Sequence, residues 1–196
     1  MNKFTIYSNK EYLKSNIEGH YHTDYTGYKN PCNPDYLNDL KNTFGDNSNE
    51  KLESARQKLY DVLENDLSQF NRLLTVCIIP RSKAENIYTG NQLLFKKAIQ
   101  HVMWKLGFND GSDYLVRHTD TKTTHLAHSQ YAGNGDMPYP GITKNTCNIS
   151  NDVKGKDILL IDDIYTGGVN IDEDAIQALF DNGANSIIFY AVGRAV

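Results

Sequence analysis

Apolar residues along the chain switch repeatedly between two spacings. Leu73-Leu74-Thr75-Val76-Cys77-Ile78-Ile79 and Ile158-Leu159-Leu160-Ile161 are near-continuous apolar runs, the kind a strand covered on both faces requires. Ser186–Val192 reads the same way, and Tyr114–Arg117 is a shorter strand. Between these runs the spacing becomes helical. Leu52, Ala55, Leu59, Val62 and Leu63 predict a helix from Ser48 to about residue 68. Leu93, Leu94, Ala98, Ile99, Val102, Met103 and Leu106 predict one over 91–106, closed by Gly107. Ile171–Asn182 predicts a third, closed by Gly183. Asn33-Pro34 opens a helix over 34–44 ahead of Gly45.

From residue 71 onward the order is strand, helix, strand, loop, strand, helix, strand. Helical crossovers make such a sheet parallel, so the fold class is α/β with a central, mostly parallel sheet flanked by helices. Ligands in these sheets bind at the carboxyl ends of the strands. Residues 71–196 form the core, and residues 1–70 precede it as packing helices and short strands, not as an independent domain. Phe4–Tyr7 is a short strand. Residues 21–28 alternate polar and aromatic side chains, as a strand or a decorated loop.

The strand at Ile158 ends on two adjacent carboxylates, Asp162 and Asp163. Ile164-Tyr165-Thr166-Gly167-Gly168 then bends the chain toward Asn170, which is suited to cap a helix and to form a capping box with Glu173. Loop amides and a helix N-terminus favour a bound phosphate. Carboxylates repel phosphate but suit hydroxyls or a metal. A loop with both ends so equipped describes a seat for ribose 5-phosphate.

In this pattern the stretch resembles the PRPP-binding motif of the type I phosphoribosyltransferases, most nearly their ComF-like and amidophosphoribosyltransferase-like members. The motif has four apolar residues, two acids, two mostly apolar positions, a Thr/Gly turn and a small hydroxyl residue; Asn170 stands in the last place. The resemblance implies that Asp162 and Asp163 bind the ribose hydroxyls and bias Mg²⁺ placement. It implies that Ile164, Tyr165, Thr166, Gly167, Gly168 and Asn170 complete the ribose and 5′-phosphate seat. It assigns the pyrophosphate to the loop after the first core strand, where Arg81, Ser82 and Lys83 lie, with Arg117 and Lys122 as further cations. Arg117, Thr121, Thr124 and Leu126 fall where the ComF-like members carry Arg, Thr, a polar residue and Leu. Residues 129–145 correspond to a lid over PRPP, and residues 1–45 to a hood that selects the acceptor. A homodimer is expected on the same analogy, with PRPP and a small nitrogenous acceptor as ligands. The N-terminal zinc finger often found in ComF-like proteins is missing from this sequence. A regulatory protein that senses PRPP or a nucleotide without turnover, or a ComF-like accessory protein, is the alternative.

Other features add less. His20, His22 and Asp24 would share one face of a strand, where a hydrogen-bonded surface is a more frequent use than a metal site. Tyr21, Tyr25 or Tyr28 is a candidate for an acceptor pocket. His125 and His128 lack a third ligand and read as surface residues. The net charge of −4 gives no electrostatic case for nucleic acid or membrane surfaces. Cys32, Cys77 and Cys147 cannot all pair and have no CxxC spacing, which suits a reducing cytoplasm. No signal peptide or membrane-length apolar run is visible.

Overall fold

A computed structural model describes residues 1–40, 48–122, 135 and 142–196. The central sheet has six strands in the order β1-β2-β8-β7-β3-β4. They are β1 (Asn2–Ile6), β2 (Ile17–Tyr25), β3 (Thr75–Ile78), β4 (Asn109–Asp110), β7 (Asp157–Tyr165) and β8 (Ser186–Ala195). β1 runs antiparallel to β2 at one edge, and every other neighbouring pair is parallel. The helices are α1 (Asp35–Leu40), α2 (Asn49–Leu67), α3 (Leu94–Leu106), α4 (Ile142–Thr146) and α5 (Ile171–Asp181). No helix among the described residues is long and apolar enough to cross a membrane.

β7 is the centre because its apolar run feeds both faces. Leu159 and Ile161 pack into the layer of α1, α2 and α3, beside Leu59, Ile99 and Val102. Ile158 and Leu160 pack into the opposite layer with Ala175, Ile176 and Leu179 of α5. Both Ile158 and Leu160 are fully buried, so truncating either to Ala would cost about 2–5 kcal/mol. α2 begins as its sequence predicts: Ser48 Oγ accepts from the Lys51 amide. α3 ends where Gly107 takes a left-handed φ of 79°.

The N-terminal segments are part of this sheet, since β2 hydrogen-bonds to β8 from Gly19↔Phe189 through Tyr25↔Ala195. Two expectations need correction. The strand predicted over Tyr114–Arg117 does form, as β5 (Leu115–Arg117), but it does not join the central sheet. It pairs antiparallel with β6 (Cys147–Ile149) in a separate two-stranded sheet. Its place beside β3 is taken by β4, whose two polar residues carry no strand signal. Leu73 is 80% exposed, so the apolar run enters the core only from Leu74. Thr124, His125, Leu126, His128, Gly45, the end of the helix predicted over 34–44 and most of 129–145 lie outside the described residues.

Direction of winding fixes where a ligand can enter. From β3 the chain crosses through α3 to β4 on one side; from β7 it crosses through α5 to β8 on the other. α3 and α5 therefore cover opposite faces, and the carboxyl ends of β3 and β7 part between them.

Candidate functional site

A cavity of about 820 Å³ opens at that switch point. One wall is the loop after β3, with Pro80, Arg81, Ser82 and Lys83; the other is the end of β7 and its loop, with Asp162, Asp163, Thr166 and Val169. β3 stops at Ile78, level with Ile161, after which the Ile79 amide donates to the Ile161 carbonyl at 2.9 Å. β7 continues through Tyr165, paired there with β8. The acids thus stand on a strand edge that β3 no longer covers.

Adjacent residues of a regular strand face opposite ways, yet Asp162 and Asp163 both line this cavity. The alternation slips between Ile161 and Ile164. Ile161 and Ile164, three residues apart, pack into the same layer, whereas Leu160 and Tyr165 pack into the other. This slip lets neighbouring carboxylates share one crevice.

Asp172, on the first turn of α5, also lines the cavity and is 5% exposed. Burial pushes its carboxyl well above the usual range, and the neighbouring Asp162, Glu173 and Asp163 push it further. A hydrogen bond between the Asp172 and Asp162 carboxyls acts in the same direction. Its Oδ1 is buried with no partner among the described residues. Glu173 does not complete a capping box: its Oε1 accepts from the Tyr165 hydroxyl at 2.9 Å.

Asn170 differs from expectation as well. It has no capping bond to α5 and sits at φ 64°, the left-handed region. Asn tolerates that region, whereas a β-branched residue such as Thr is strained there. The Asn170 side chain folds back, donating from Nδ2 to the Gly168 carbonyl at 3.1 Å.

The cations of the β3 loop are anchored. Arg81 donates to the Gln92 carbonyl, and its guanidinium stacks over Tyr88 at 4.5 Å. Lys83 Nζ donates to the Thr121 carbonyl at 3.0 Å. Arg117, 5% exposed, donates from Nε to the Arg81 carbonyl at 2.6 Å and from Nη1 to Thr146 Oγ1. The Thr121 amide donates to the Ser82 carbonyl at 2.7 Å. Arg117 and Thr121 thereby hold the loop in shape from below, and Arg117 also reaches the cavity wall. Lys122, Tyr165, Gly167, Gly168 and Asn170 are not among the lining residues. Tyr165 turns into the α5 layer, against Phe4 and Phe189.

Away from the charged walls the cavity is bordered by Tyr25, Asn38, Leu93, Phe95, Ile164 and Ala195. The Tyr25 hydroxyl donates to Asn38 Oδ1 at 2.9 Å. Tyr21 instead packs against Phe4 and Arg194, and Tyr28 lies under Lys29. His20 and His22 do share a face, but His20 meets Phe70 and Glu18 while His22 meets Asp66. No group of three metal-binding side chains occurs among the described residues. Cys77 is buried, its thiol pushed up to about 12 mainly by burial, which suits a small core residue.

Sequence reasoning missed Asp172 and Asn38. The run Asp172-Glu173-Asp174 was a signal for the first, since three acids in one helical turn that also bears the core-facing Ala175 cannot all face water. Asn38, on a short helix, gave none. No family model and no curated protein matches the chain.

Proposed function

We propose that the protein transfers the 5-phosphoribosyl group of PRPP to a nitrogenous acceptor and releases pyrophosphate, as a member of the type I phosphoribosyltransferases. The observation that carries this reading is that two adjacent acids and a cation-bearing loop line the same cavity, on opposite walls, at the sheet's switch point. Asp162 and Asp163 accept hydrogen bonds from the ribose 2′- and 3′-hydroxyls. The amides of Thr166–Asn170 and of the first turn of α5 receive the 5′-monoester. Arg81 and Lys83 face the diphosphate.

Mg²⁺ fits as an ion carried by the substrate. The carboxylate oxygens facing the crevice are donors a hard cation accepts, while no described cluster of three would hold it alone. When bound, it neutralises charge on the departing diphosphate. The acceptor nitrogen forms a bond to ribose C1, the bond from C1 to the diphosphate oxygen breaks with its electron pair leaving on pyrophosphate, and the proton the nitrogen sheds goes to that pyrophosphate or to water. The protein's part is to fix the sugar rigidly and to stabilise that leaving charge.

One observation favours the alternative of a PRPP-binding protein without turnover. Arg81 and Lys83 already donate to backbone carbonyls, which a leaving diphosphate must outcompete. Pyrophosphate release from PRPP, assayed against a panel of nitrogenous bases, ammonium and glutamine, separates the two. Release with at least one acceptor is expected. PRPP binding without release from any of them would assign the sensing role.

A further inference from the structure

The loop joining β1 to β2, residues 7–16, packs along α5 from Asn170 to Asp181. Leu13 is buried in the same layer as Ala175 and Ile176. The Lys14 amide donates to Gln177 Oε1 at 3.0 Å, and its ammonium meets Asp181 at 2.9 Å. Asn9 sits at the head of this segment. Its Oδ1 accepts from the amides of Tyr12 and Leu13, at 2.8 and 3.2 Å, which fixes the rotation of the side-chain amide. Its Nδ2 then donates to Asn170 Oδ1 at 2.8 Å. Asn170 passes the orientation on, donating to the Gly168 carbonyl. Reversing the Asn170 amide would set oxygen against oxygen at Gly168 and NH₂ against NH₂ at Asn9.

The loop needs such a restraint. Gly168 at φ 80° and Asn170 at φ 64° both occupy the left-handed region, and a short segment of that kind has many other conformations open to it. We propose that Asn9 is a positioning residue for the 166–170 loop. Acting through Asn170, it holds the loop in the conformation that receives the phosphate monoester. What the loop receives rests on the function proposed above; the bolt itself does not.

Two variants test this. Asn9→Asp keeps the oxygen that Tyr12 and Leu13 bond to but has no N–H for Asn170; Asn9→Ala loses both. Amide hydrogen exchange across residues 166–171 is measured without ligand, alongside melting temperature, calorimetric affinity for ribose 5-phosphate and PRPP kinetics. Asn9→Asp is expected to melt close to the parent, to exchange several-fold faster at residues 167–170, and to bind ribose 5-phosphate roughly 3–10-fold more weakly. Its PRPP KM should rise by a similar factor with kcat little changed. Unchanged exchange in both variants would overturn the proposal, as would faster exchange with unchanged affinity. If the parent protein binds neither ribose 5-phosphate nor PRPP, the phosphate seat is wrong and its positioning falls with it, while the exchange rates still decide whether Asn9 fixes the loop.

Discussion

Two buried aspartates, one in each helical layer, show what surroundings do to the same side chain. Asp66 on α2 is completely buried, and burial alone would raise its carboxyl. Donors on several sides outweigh that: His22 Nδ1 at 3.0 Å, Asn65 Nδ2 at 2.9 Å and the Tyr190 hydroxyl at 3.0 Å hold it below the usual range. Asp172 on α5 is almost as deeply buried, but its neighbours are acids, so burial and repulsion act together and raise it. The first arrangement is a joint, tying β2 and β8 to α2. The second leaves an oxygen with no partner among the described residues, and a carboxyl pushed toward its neutral form, beside an 820 Å³ cavity. Buried acids with perturbed carboxyls beside a cavity are a recurrent feature of functional sites.

Breaking the joint should have the largest effect. Asp66→Ala strands the His22 and Tyr190 donors and should lower stability by about 3–5 kcal/mol, read by urea denaturation; a loss under about 1 kcal/mol would mean that Asp66 is not the link between the layers. On the other side, Asp163→Asn should leave folding intact and reduce pyrophosphate release on the order of 10²–10³-fold. Unchanged release in that variant would remove the acids from the chemistry.

The two aspartates also predict opposite slopes of stability against pH. Asp66 has a depressed folded pKa, so its contribution is present above the unfolded value of about 3.9 and is lost as pH falls through the folded one. Asp172 has a raised folded pKa, so the folded state holds a proton that the unfolded state has released. Stability must therefore fall as pH rises above about 4, until the folded pKa is passed. Asp172→Asn keeps a donor for Asp162 and removes that slope. It should stabilise the protein at pH 8 by on the order of 1 kcal/mol, and an undiminished slope in melting temperature between pH 5 and 8 would contradict a raised Asp172 carboxyl. The smallest effect belongs to Asn170→Thr, which should cost roughly 1 kcal/mol through left-handed backbone strain. A variant as stable as the parent would show that the loop relaxes freely.

The same contrast explains what the sequence could reveal. β7 was legible because four consecutive apolar residues meet the demand of a strand covered twice. The two acids at the strand end were legible as neighbours, but regular strand alternation would have turned them to opposite faces, and only the folded chain shows both lining one cavity. α2 was legible from Ser48 and its apolar spacing. The capping box at Asn170 and Glu173 was misread because local spacing cannot report that Tyr165 and Asn9 compete for those side chains. β5 was placed in the wrong sheet because its partner, β6, is distant in sequence, while Asn109 and Asp110 look like loop. Arg117 has a cation's appearance, yet it holds the carbonyl of Arg81, a contact that only the folded chain brings about. Side chains whose partners lie within a few residues were readable; those defined by long-range contacts were not.

The β7 edge and its loop are proposed to hold a phosphorylated ribose. Thermal denaturation with and without PRPP and Mg²⁺ asks this directly, because a ligand at 100 times its Kd stabilises the folded state by about 2.7 kcal/mol. A saturable rise in melting temperature in the parent, strongly reduced in Asp163→Asn, is the predicted result. No rise at millimolar PRPP, or an equal rise in both proteins, would contradict it.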